Sequence, residues 1–140
     1  MRRADEFRAE NGFTMVEILM VLLIMGILAA IAIPTFFNQR EKAQDSDAKL
    51  VAKTAQTAME TWGADHDGDY TPAPTPAQLQ AIDDTLPASL GISGVSANGY
   101  TVTASSDSGR TFSVMRAGGG FSHPCSASGG GCPSGLDWGG

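Results

Sequence analysis

Apolar positions are distributed in two regimes along the chain. Residues 18–33 (ILMVLLIMGILAAIAI) carry no charge and no strongly polar side chain, and residues 13–16 extend this run upstream, with Glu17 as its one interruption. At 1.5 Å per residue a helix over 13–33 is about 31 Å long, the thickness of a bilayer's hydrocarbon core. The pattern therefore predicts a membrane-inserted helix. Pro34 lacks an amide hydrogen and clashes with the carbonyl of Ala30, and Gly26 lowers helix propensity, so both mark a place where this helix should kink or loosen. Residues 35–62 contain neither Pro nor Gly and are rich in Ala, Gln, Lys and Glu, so the helix is predicted to resume. Leu50, Val51, Thr54, Ala55, Ala58 and Trp62 fall at three- and four-residue spacings and predict the stripe that carries a globular head. Lys49, Lys53 and Glu60 then lie on a solvated or neighbour-facing side, and Gly63 stops the helix.

Residues 63–140 are polar and glycine-rich, and short patterns organise them. Thr75-Pro76-Ala77-Gln78 reads as a capping box opening a helix over 76–84, packed through Leu79, Ile82 and Leu86. Tyr100, Val102 and Ala104 alternate, as do Phe112 and Val114, around Asp107-Ser108-Gly109, which predicts an antiparallel hairpin over 100–115. Asn98-Gly99 marks the turn into it, and residues 92–95 supply a third short strand. The tail from Ala117 holds nine glycines in 24 residues without a period and is expected to be loop. The fold class is α+β.

Length and charge narrow the function. With 140 residues the chain is one modest domain, too small for a multi-domain enzyme. Nine Lys and Arg against fifteen Asp and Glu give a net charge of −6, so contact with a nucleic-acid backbone is not expected. No nucleophile elbow, phosphate-binding loop or metalloprotease helix is present in the sequence, and Ser122-His123 lies in a glycine-rich stretch unsuited to holding catalytic groups. We expect no catalytic residue and no cofactor. Asp65, Asp67 and Asp69 alternate, but an EF-hand would need Gly and Glu where Tyr70 and Pro76 stand, so an Asp-Gly turn is the simpler reading. Cys125 and Cys132 can close a ring across six residues if the head is exported, while a zinc site with His123 lacks a fourth ligand, His66 being remote. No metal is expected.

The apolar segment admits three readings. A cleaved secretory signal could use Ala30-Ile31-Ala32, yet Glu17 and Pro34 sit poorly with it, and the residues before it mix Arg2, Arg3 and Arg8 with Asp5, Glu6 and Glu10. A plain anchor receives no orientation from charge, because Arg40, Lys42, Lys49 and Lys53 follow the segment as closely as the arginines precede it. The third reading starts from Glu17, since a carboxylate at mid-membrane costs about 2.5–3.5 kcal/mol and is normally partnered or functional.

Gly12-Phe13-Thr14-Met15-Val16-Glu17, followed by ILMVLLIMGILAAIAIP, resembles the N-terminal segment of class III signal-peptide proteins, the type IV pilins and their secretion-system relatives. The resemblance covers residues 12–43. It implies that a prepilin peptidase removes residues 1–12 as a leader by cutting after Gly12, and methylates the new amino terminus at Phe13. It further implies that residues 13–34 stay as the membrane and assembly helix, that 35–62 continue it, and that 63–140 form the head. In such proteins the equivalent of Glu17 pairs with a neighbouring subunit's amino terminus, the stretch between the equivalents of Gly26 and Pro34 can melt within the filament, and a disulfide, here Cys125 with Cys132, often staples the C-terminal loop. The fold implied is a long N-terminal helix packed on a small antiparallel sheet. The function implied is a filament subunit that passes from the cytoplasmic membrane to the cell surface. Its partners would be copies of itself, the peptidase, the pilus assembly machinery and, before assembly, membrane lipid. Two alternatives remain at this level: a type II secretion pseudopilin, and a monomeric membrane-anchored extracellular binding module.

Overall fold

A computed structural model describes residues 12–139, so residues 1–11 of the expected leader lie outside the described residues. The chain divides between Phe36 and Phe37 into two compact units, to both of which helix α1 (Met15–Asp65) contributes.

In the first unit, α1 presents its apolar residues outward. Its most apolar 18-residue window has a mean hydropathy of 2.9 and none of it is buried. Pro34 lies inside α1, where it leaves the Ala30 carbonyl without its usual ladder donor, and the Thr35 hydroxyl donates to the Ile31 carbonyl at 2.9 Å. The helix is continuous through this point rather than interrupted.

The second unit packs α1 and α2 (Pro76–Ile82) with an antiparallel sheet of order β1-β2-β3-β4: β1 (Gly91–Ser96), β2 (Gly99–Ser105), β3 (Thr111–Ala117) and β4 (Gly120–Ser122). The alternation in β2 and β3 holds: Tyr100, Val102, Ala104, Phe112 and Val114 are buried, with Val102 opposite Val114 and Ala104 opposite Phe112. They join one core with Leu79, Leu86 and Leu90 and with the helix face Ala48, Ala52, Ala55, Ala58 and Met59.

That helix face differs from the expected stripe. Leu50 is 66% exposed, whereas Asp45, Ala48, Ala52, Met59 and Gly63 are buried. The reason is size complementarity: alanines keep the helix surface low, so that Tyr100 and Phe112 can reach it from the sheet. Lys49 and Glu60 are correspondingly half-buried rather than solvated. Gly63 does not stop the helix, which runs to Asp65. A Cβ at Gly63 would lie 2.6 Å from the Tyr70 ring, so the glycine makes room for packing. The helix instead ends in a Schellman turn, with Asp67 in the left-handed region (φ 58°) and the Gly68 N–H bonded to the Gly63 carbonyl at 2.7 Å.

Elsewhere the boundaries shift for local reasons. The capping box at Thr75 and Gln78 is formed, but α2 stops at Ile82 because Asp83 turns its carboxylate onto the Thr85 N–H (3.0 Å) and hydroxyl (2.6 Å). The tail is not all loop. Gly118 and Gly119, both at positive φ, make a two-residue turn that returns the chain as β4 against β3. Residues 124 and 137 then form a further bridge.

These burial assignments separate two apolar residues of one helix. Met59→Ala is expected to destabilise the head by about 2–5 kcal/mol, and Leu50→Ala by no more than about 0.5 kcal/mol. Denaturant unfolding followed by tyrosine and tryptophan fluorescence checks this; equal losses would mean the helix face is wrongly assigned.

Candidate assembly site

The residues singled out at the N-terminus form a local unit. Thr14 is the N-cap of α1: its N–H and hydroxyl both donate to Glu17 Oε2 at 3.4 Å, and the Glu17 N–H donates to Thr14 Oγ1 at 3.2 Å. This reciprocal pair is a capping box, which places the carboxylate at the positive end of the helix dipole. The signal, Thr-x-x-Glu ahead of an apolar run, stands in the sequence. Gly12 precedes this cap, with no atom of the described residues within 4 Å of where a Cβ would sit, and Phe13 is 80% exposed. Glu17, an acceptor, stands four residues after Phe13. Gly26 also has open space around it.

Two further carboxylates of α1 hold the head together: Asp45, which no local pattern marks, and Glu60, which the sequence places on a solvated or neighbour-facing side. Asp45 is fully buried. Its Oδ1 accepts from the hydroxyls of Ser106 (2.7 Å) and Ser108, and its Oδ2 from the Gly131 N–H (2.7 Å) and Arg110 Nη1 (3.4 Å). Arg110 also bonds Glu41 at 3.1 Å. Burial pushes the Asp45 carboxyl up, but the bonds from Ser108, Gly131 and Ser106 and the Arg110 charge outweigh it, and the net shift is downward. Fifteen residues along, about 22 Å up the helix, Glu60 accepts from Tyr100 (2.7 Å), Tyr70 (2.9 Å) and Arg116 (2.6 Å). Its carboxyl likewise ends below the usual value despite the opposing effect of burial, and burial, reinforced by Glu60, pushes the Tyr100 phenol well up. Lys49, half-buried, lies over the rings of Phe112 (5.5 Å) and Trp138 (5.9 Å), while Lys53 stays exposed as expected and reaches the Trp138 ring at 5.6 Å.

The remaining candidates separate. Cys125 and Cys132 are joined, with their Cα atoms 6.0 Å apart, so neither thiolate is left for a zinc site with His123, whose ring instead packs against Trp138. Asp69 accepts from the Thr71 N–H (2.7 Å) and hydroxyl (2.6 Å), which gives this member of the aspartate run a turn-forming role.

A known family model matches the N-terminal part of this sequence, and several known proteins are similar to part of the chain. The prokaryotic N-terminal methylation motif matches residues 7–33. The chain is 39% identical over 66 residues to the type IV major pilin protein PilA of Myxococcus xanthus, covering 46% of this chain and 30% of the relative. It is 33% identical over 75 residues to a fimbrial protein of Neisseria meningitidis, covering 54% and 44%. It is also 36% identical over 61 residues to the competence protein ComGC of Halalkalibacterium halodurans, covering 44% and 60%. The matches thus span less than half the length of the first two relatives. The N-terminal segment carries the prokaryotic N-terminal methylation motif, and part of the chain is similar to type IV major pilins.

The lowered carboxyl groups set a pH dependence with a definite sign. Because Asp45 and Glu60 hold their protons less tightly in the folded state than at their ordinary values of 3.8 and 4.5, their contribution is complete above those values. It is lost as pH falls through the folded-state values. Thermal unfolding between pH 7 and pH 2 should show the head losing stability below about pH 4.5. Asp45→Asn should lower the midpoint most near neutrality and progressively less in acid. A constant difference across that range would contradict this assignment.

Proposed function

We propose that this chain is the structural subunit of a type IV pilus filament, stored in the cytoplasmic membrane as a single-pass prepilin and displayed at the cell surface once polymerised. The observation that carries the reading is the methylation motif running directly into an apolar helix that has no buried residue in its most apolar window and one carboxylate, Glu17, near its start. Such a surface needs lipid or other helices around it.

The chemistry follows from the residues. Gly12 puts no side chain in the way of an extended backbone at the peptidase, and cutting there creates a cationic amine on Phe13, the methylation site. In the membrane the Thr14 cap supplies donors to Glu17. On assembly that carboxylate pairs with the amino terminus of the next copy, which offsets the desolvation of both charges and sets the axial register, since a slipped register leaves one unpaired. Helix packing replaces lipid contact. Between Gly26 and Pro34 the missing ladder bond and low propensity let the helix extend under load. Processing requires the prepilin peptidase, and extraction the assembly machinery. Similarity to the competence protein supports a second reading, a related short filament such as a pseudopilus.

N-terminal sequencing of sheared surface material tests the proposal: the mature chain should begin with methylated Phe13. A start at Met1 or Ile33 would overturn it. In the same cells Glu17→Ala should abolish sedimentable filaments. Unchanged sedimentation would sink the Glu17 role and favour a monomeric anchored module, while filaments confined to the envelope would favour the second reading.

A further inference from the structure

The disulfide ring encloses three consecutive glycines, 129–131, and they lie directly on the buried Asp45–Arg110 pair. A Cβ at Gly129 would stand 3.1 Å from Arg110 Nη2, and one at Gly131 2.7 Å from Asp45 Cβ; one at Gly130 would overlap Asp45 Oδ2 and lie 2.7 Å from Arg110 Nη1. Gly129 and Gly130 also sit at φ +106° and +55°, where a side chain is strained. The glycines form a flat cover that a larger residue could not make.

The two oxygens of Asp45 are served from different places. Oδ1 takes the hydroxyls of Ser106 and Ser108 in the β2–β3 turn, while Oδ2 takes the Gly131 N–H and Arg110. The ring is closed internally by mutual bonds between Gly129 and Cys132, each 2.9 Å. It is held to the sheet through Cys125, which bridges Phe112. Opening the covalent link releases the Gly131 end from that anchor. A buried carboxylate that loses a donor bears the desolvation cost of the missing bond.

We propose that the 125–132 ring is a lid which the disulfide keeps closed over Asp45, so that the bond stabilises the head by keeping this carboxylate supplied with a backbone donor as well as by restricting the unfolded chain. The inference does not rest on the pilus reading. Restriction of the unfolded chain alone is indifferent to residue 45. A lid is not.

The full chain in detergent micelles supplies the test, through a cycle of Cys125→Ser/Cys132→Ser, Asp45→Asn and the triple variant. Asn at 45 carries no charge, so losing the Gly131 donor leaves a neutral amide short of a bond instead of a buried carboxylate. The double serine change should therefore lower the melting midpoint by at least about 5 °C more with Asp45 than with Asn. Equal shifts in the two backgrounds would overturn the proposal. Hydrogen exchange gives a separate readout: the Gly131 amide should exchange at least about tenfold faster in the double serine chain while the Val102 amide keeps its protection. Retained protection at Gly131 would also overturn it. If the double serine chain does not fold, Gly130→Ala with the disulfide intact carries the test. It should release the Gly131 amide, and unchanged exchange there would refute the lid.

Discussion

A carboxylate taken out of water must be given donors, and in the head α1 carries two that depend on this rule. Asp45 draws Ser106, Ser108, Arg110 and Gly131 to one level of the helix; Glu60 draws Tyr70, Tyr100 and Arg116 to another. Between these levels the buried residues of the helix are four alanines and Met59, so the sheet approaches closely along its length. The head is thus fixed at two polar points and filled between them by aromatic side chains against alanine.

In the filament we propose, Glu17 comes under the same rule. Its donors within the subunit come from Thr14, at the 3.4 Å limit of hydrogen bonding, and both residues are exposed. In the head the donors arrive from the same chain and complete a fold. At the amino terminus, in the filament we propose, they arrive from another copy and complete an assembly. One helix then serves as the spine of a domain and as the polymerising element.

How much of this is legible in the sequence depends on the range of the interaction. The apolar run over 13–33, the Thr75 capping box, and the alternation of Tyr100, Val102 and Ala104 against Phe112 and Val114 are signals between near neighbours, and each corresponds to an element that forms. The Thr14–Glu17 box and the Gly118-Gly119 turn were equally local and equally available. Leu50 and Gly63 misled because apolar size and glycine punctuation are averages, while burial on a helix is settled by what packs against it.

Local pattern by itself determined the helix, the hairpin, the position of the odd carboxylate and the resemblance to pilins, because periodicity, caps and turns act within a few residues. Only the tertiary structure decided which face of α1 is buried, that Asp45 and Glu60 are the two fastening points, and that three glycines of the tail cover one of them. Apart from Tyr70, ten positions from Glu60, those facts join residues 40 to 86 positions apart, and no spacing along a chain encodes which distant donor a buried charge will find.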